Sequence, residues 1–202
     1  MMRTPTQKLP LNLESRSIHL LQEEFREKVV ILAKKCLERG IELGIGTTLR
    51  SPDVQAKIWC RSRTLDDVER RKSAIYRAAP TIASLLKPEY AGLGPQLTSH
   101  MPMQSWHQLG EAVDVYSKIG TKAIWDGSAA LLIATIAKEI GLPHSYNEKT
   151  WEVKSRHWHV QLRRKETPFL ERGLFDSWTR AEEVMLERFD FTPTCTCVVP
   201  TS

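Results

Sequence analysis

The sequence predicts an α+β domain, with a small antiparallel sheet packed by several helices on one side. Three stretches carry apolar residues at three-to-four spacing, "SRSIHLLQEEFREKVVILAKKCLER" (15–39), "IWDGSAALLIATIAKEIGL" (124–142) and "FDSWTRAEEVMLERF" (175–189), and these read as helices. Others alternate in part and are rich in β-branched or aromatic residues, "IELGIGTTLRS", "EAVDV" and "HWHVQL", and these read as strands. A chain of 202 residues suits one substantial core, so a single domain over 1–194 with a tail at 195–202 is expected.

In chain order, the first helix buries Ile18, Leu21, Phe25, Val29, Leu32 and Cys36 and ends at Gly40. A strand follows from about Glu42 to Leu49. Ser51 as N-cap, Pro52 in the first turn and Asp53 at the positive helix end open a helix that should run to about Arg63. Residues 65–99 read as a helical insertion, in which "ERRK" (69–72) is a solvated face and "AGLGPQ" is loop. A helix ended by Gly141 comes next, then a hairpin across 144–162 turning at "NEKT". The final helix, about 175–190, aligns Trp178, Ala181, Met185 and Phe189. Helices should outnumber strands.

Composition narrows the function. Twenty-nine Lys and Arg against 24 Asp and Glu give +5, which favours anionic partners. No RNA-binding aromatic-basic signature or zinc-finger spacing accompanies that charge, so nucleic acid is not the expected partner. No run approaches the roughly 18 apolar residues of a membrane span. The start has no apolar core with a cleavage site, so synthesis in the cytoplasm without a signal peptide is expected. Of four cysteines, Cys36 and Cys60 sit in helical stretches, and Cys195 and Cys197 form a C-x-C in the tail, which is no disulfide framework.

The chemistry-bearing residues cluster in two motifs. "SWHQLGEAVDV" (105–115) sets His107 and Asp114 seven positions apart. "HWH" puts His157 and His159 on one face of a strand. A catalytic zinc takes three protein ligands of such types and leaves a position for water. His107, Asp114 and one of the later histidines supply that number.

"SWHQLGEAVDV" resembles the S-x-H-x-x-G-x-A-x-D pattern of the D-Ala-D-Ala carboxypeptidase and L-alanyl-D-glutamate endopeptidase family of zinc peptidoglycan peptidases, to which many phage endolysins belong. The resemblance extends to "TTLRSPDVQAKIWCRSRT" and to "HWHVQL", and so covers about residues 41–162. It implies a hedgehog/DD-peptidase-like fold with the zinc, Zn2+, in a groove across the sheet. It makes His107, Asp114 and His159 the metal ligands, and Arg50 the group that binds substrate and steadies the developing oxyanion. Gln55 and Ser105 match positions flanking the substrate. Gly110 reads as packing, a small residue where another part of the backbone passes close.

The pattern is broken at one place, because Arg156 stands where endopeptidases of the family carry an acidic general base. Two substitutes are open. His157 assists as in the H-x-H version of the wider group, which is preferred, or Glu152 does so through a bulge. The implied activity is hydrolysis of a stem-peptide amide, between L-Ala and D-Glu, leading to cell-wall lysis. The alternatives are removal of terminal D-Ala and a zinc-bearing binding module without catalysis. A monomer is expected, acting on the wall or periplasm after release or export, as a phage endolysin or as a secreted effector.

Overall fold

The computed structural model describes residues 8–124, 127–142, 158–161 and 177–191; in the 158–161 strand only the side chain of Val160 is included, and those of residues 127 and 128 are not. In chain order it contains β1 (Leu9–Pro10), β2 (Glu14–Ser15), α1 (Glu23–Glu38), β3 (Glu42–Ile45), β4 (Leu49–Arg50), α2 (Pro52–Cys60), α3 (Leu65–Tyr76), α4 (Pro80–Leu85), β5 (Ala112–Ile119), β6 (Lys122–Ile124), α5 (Gly127–Glu139), β7 (Trp158–Gln161), α6 (Trp178–Arg188) and β8 (Phe189–Asp190). The α+β class is as expected. Among the described residues six α-helices and three short 3-10 helices stand beside eight strands, four of which are two-residue pairings.

The central sheet is built on β5. Its upper half pairs antiparallel with β3 on one edge and β6 on the other, while its first half, Ala112–Val115, pairs antiparallel with β7. Alternation along β5 sorts its side chains. Val113 and Val115 are buried with Val160 against α1 and α5, in a core that includes Phe25, Val29, Leu32, Ile133 and Ile136. Asp114, between the two valines, belongs to the opposite face. A second core joins α2, α3, α4 and α6 through Trp59, Val68, Ile75, Ile82, Met101, Met185 and Phe189.

α1 begins later than its apolar spacing suggests. Glu14 and Ser15 are taken by β4, Ile18–Leu20 form a 3-10 turn, and the Gln22 N–H is bonded to the Gly110 carbonyl at 2.9 Å. Long-range pairing thus outcompetes the first turn of helix. The strand expected to run to Leu49 is likewise interrupted. Gly46 donates its N–H to the Asp114 carbonyl at 2.7 Å, and the Asp114 N–H donates to the Thr47 carbonyl at 2.9 Å. Two residues facing one is a β-bulge, which bends the strand out of the sheet so that Leu49–Arg50 pair with β2. A Cβ on Gly46 would lie 2.9 Å from the Asp114 carbonyl oxygen, so glycine permits this approach.

Ser51 caps α2 as its sequence position implies, accepting from the Val54 N–H at 3.4 Å. Thr64 caps α3 in the same way, and Glu69, Arg70 and Arg71 form its exposed face. α4 is capped from a distance: the N–H groups of Thr81 and Ile82 donate to the Glu182 carboxylate on α6 at 2.6 and 2.9 Å. α6 ends at Arg188, so Phe189 reaches the core from β8, which pairs parallel with β1, and not from the helix face.

Cys36 and Cys60 are buried free thiols, and burial pushes both up to about 11. They are protonated and unreactive at neutral pH. Cys195, Cys197 and the first strand and turn of the expected hairpin lie outside the described residues. No described helix is long and apolar enough to cross a membrane.

Candidate functional site

His107 stands on a 3-10 turn, Trp106–Leu109, just before β5. The turn is held from several sides. The Ser105 N–H donates to Gln108 Oε1 at 3.4 Å, and the Leu109 carbonyl accepts from Gln22 Nε2 at 3.4 Å and from Arg188 Nη2 at 3.3 Å. Burial pushes the Arg188 guanidinium below its ordinary value. The turn closes on Gly110 at φ +70°, where a Cβ would stand 2.6 Å from the Leu20 carbonyl oxygen. The close backbone approach expected at Gly110 is present.

Gly110→Ala is therefore expected to destabilise the protein by about 2–4 kcal/mol, from left-handed strain together with a backbone clash. Denaturant midpoints of the two proteins check this; an unchanged midpoint would contradict the packing described.

The His107 ring is buried, with 4% of its side chain exposed, while Asp114 at 16% and Arg50 at 14% reach solvent. His107 Nδ1 lies 3.3 Å from the Thr48 carbonyl. A carbonyl only accepts, so this contact places the hydrogen on Nδ1, and in the neutral ring Nε2 is then an acceptor. Nε2 faces Asp114 Oδ1 at 3.4 Å. Two acceptors at that distance repel each other unless a proton or a metal cation lies between them.

The donor set fits zinc. A ring nitrogen and a carboxylate oxygen on one tetrahedral zinc ion stand about 3.4 Å apart, from metal–ligand distances near 2.1 Å. Ring N–H donation to a backbone carbonyl is also how ligating histidines are commonly oriented. Among the described residues no three His, Cys, Asp or Glu side chains gather around one point. The backbone register sets His159 directly opposite Asp114. The His159 side chain, and His157, Glu152 and Arg156 altogether, lie outside the described residues.

Arg50 is held as a fork. Its Nη1 donates to Gln55 Oε1 at 3.2 Å, its Nε lies 3.5 Å from Glu14 Oε1, and its Nη2 lies 3.9 Å from Asp114 Oδ2. Gln55, fully buried on α2, donates Nε2 to the His100 carbonyl at 2.7 Å and to Thr98 Oγ1 at 3.4 Å. Structure thus brings together Arg50, Gln55, His107 and Asp114. Ser105 is buried and supports the turn that carries His107.

Three contributors were not legible as site residues. Glu14 anchors both Arg50 and the Thr47 hydroxyl, the latter at 3.2 Å. Thr48 orients the His107 ring through its carbonyl, and the Thr98–His100 loop seats Gln55. Backbone acceptors leave no trace in residue identity, and nothing in the local sequence around Glu14 pairs it with position 50.

A family model described as VanY, D-alanyl-D-alanine carboxypeptidase, matches residues 18–164. A search of curated proteins gives no match. Among solved structures, an L-Ala D-Glu endopeptidase, ChiX, from Serratia marcescens is similar at 16% identity and a TM-score of 0.37, over 75% of this chain and 89% of that one.

Proposed function

The chain belongs to the VanY family of D-alanyl-D-alanine carboxypeptidases, and on that premise we propose that it is a zinc peptidase hydrolysing an amide bond in the stem peptide of peptidoglycan. The observation that carries the zinc assignment is the face-to-face arrangement of His107 Nε2 and Asp114 Oδ1 at 3.4 Å, with Nδ1 turned to a carbonyl. His159, opposite Asp114 in register, is the third ligand in this reading. The fold is that of DD-peptidases, with the metal on the polar face of the sheet.

The chemistry supplied by such a metal is polarisation of the scissile carbonyl and acidification of a water molecule. The chain's own residues do the rest. Arg50, fixed by Glu14 and Gln55 before substrate arrives, presents its guanidinium to the negative charge that develops on the carbonyl oxygen. Thr48 keeps the His107 ring oriented. Asp114 divides its two oxygens between His107 and Arg50, which ties the metal position to the oxyanion position. His157 moves the proton toward the leaving amine, with Glu152 as the alternative.

Two cleavage positions are in play. The "SWHQLGEAVDV" and "HWHVQL" motifs are common to both activities; the cut between L-Ala and D-Glu is the preferred reading, and the family description supports release of terminal D-Ala. Digesting purified muropeptides and weighing the products decides between them. Free alanine identifies the carboxypeptidase, and a new peptide beginning at D-Glu identifies the endopeptidase. Intact muropeptides with zinc-loaded protein would refute both. The place of action in this reading is the cell wall or periplasm, reached after release or export.

A further inference from the structure

A second concave site lies away from the metal position, on the helical segment. It is a groove of about 470 Å³ between α2 and α3, lined by Trp59, Arg63, Asp67, Arg70, Arg71 and Ala74. That volume lies within the range of small-ligand pockets. Three arginines and one carboxylate line it. Asp67 is engaged by Arg70 and by the Thr64 hydroxyl at 2.8 Å, and the Thr64 hydrogen bond, then Arg70, holds its carboxyl below the usual carboxylate range. Arg63 stacks over the Trp59 ring with its guanidinium carbon 5.0 Å from the ring centre. Stacking on Trp59, with Nη1 donating to the Ser62 hydroxyl and Nη2 to the Thr98 carbonyl, fixes the plane of a guanidinium whose remaining N–H donors suit an oxyanion. Arg71 is exposed and has no carboxylate partner among the described residues. The groove thus carries positive charge in excess of its single acid, beside an aromatic wall.

It is also joined to the site. Trp59 stands one turn beyond Gln55 on α2, a rise of about 6 Å. Arg63 Nη2 donates to the Thr98 carbonyl at 3.4 Å, and the Thr98 hydroxyl accepts from Gln55. One loop residue therefore supports both the groove's arginine and the partner of Arg50.

We propose that this groove is an oxyanion subsite that grips the wall polymer away from the bond being cut, its ligand a carboxylate or phosphate of that polymer held by Arg63, Arg70 and Arg71 against Trp59. The inference rests on the reading of the protein as a stem-peptide hydrolase. The two sources of oxyanion are carboxylates of a stem peptide and phosphodiesters of a polymer attached to the wall.

The test uses the double variant Arg70→Gln/Arg71→Gln, two exposed positions outside the metal site. Cosedimentation with insoluble peptidoglycan is expected to weaken about five- to tenfold, with KM on that polymer rising in step, kcat unchanged, and hydrolysis of a small soluble muropeptide unaltered. Wild-type protein should lose the same binding on peptidoglycan whose carboxylates have been amidated if those are the ligand, or on peptidoglycan stripped of phosphodiester polymers if those are. Variant binding equal to wild type would overturn the proposal, as would wild-type binding indifferent to both treatments or preferential retention on DNA. If no form of the protein cleaves the soluble muropeptide, the hydrolase reading fails by itself, and cosedimentation still reports on the groove.

Discussion

Replacing His107 with alanine is expected to strip zinc from the protein and to reduce stem-peptide hydrolysis by more than the ~10–100-fold that loss of a supporting partner costs a metal site. The ring is one of the two acceptors that face each other at 3.4 Å, so its loss removes half of that pair. The position is buried, so the alanine variant also leaves a cavity and an unpaired Thr48 carbonyl. Asp114→Asn provides the control. It keeps the shape of the side chain and removes the charge, and should lower both zinc content and activity with a smaller loss of thermal stability. Metal analysis by mass spectrometry, run beside melting curves, separates the effects. Full activity in a chelated, metal-free sample would mean that His107 and Asp114 are an ordinary ion pair.

Arg50→Lys is expected to keep the zinc and to lower kcat by roughly 10²–10³-fold, the loss typical when one preorganised donor to a developing oxyanion is removed. Charge is retained in this variant, but the planar fork is not. Gln55, Glu14 and Asp114 engage three different nitrogens of Arg50, and an ammonium cannot satisfy that geometry. Glu14→Gln should act in the same direction and more weakly, since it loosens Arg50 without removing it. Steady-state kinetics on a soluble muropeptide read this out. A change confined to KM would place Arg50 in ground-state binding alone.

Much of the fold was legible because it is written locally. The α1 stripe of Phe25, Val29, Leu32 and Cys36 follows helical spacing, Ser51 sits where a cap must, and β5 alternates as its sequence does. Two-residue strands such as β1, β2, β4 and β8 carry no periodicity, and their existence depends on partners far along the chain. The start of α1 was misplaced for that reason. At the site, His107, Asp114, Arg50 and Gln55 were legible from motif and resemblance. Glu14 was not, because its role is created by the pairing of β2 with β4. The capping of α4 by Glu182 was hidden by a separation of about 100 residues.

The β-bulge at Gly46 and Thr47 makes the spacing of the chain as consequential as its chemistry. Side chains alternate faces along an extended strand, so the number of residues between Ile45 and Arg50 decides which way the guanidinium is delivered. A relative with one residue fewer in that interval could keep every motif and still turn its arginine away from Asp114. In comparing sequences of this kind, a gap inside "GTTLR" is therefore as disabling as the loss of a ligand.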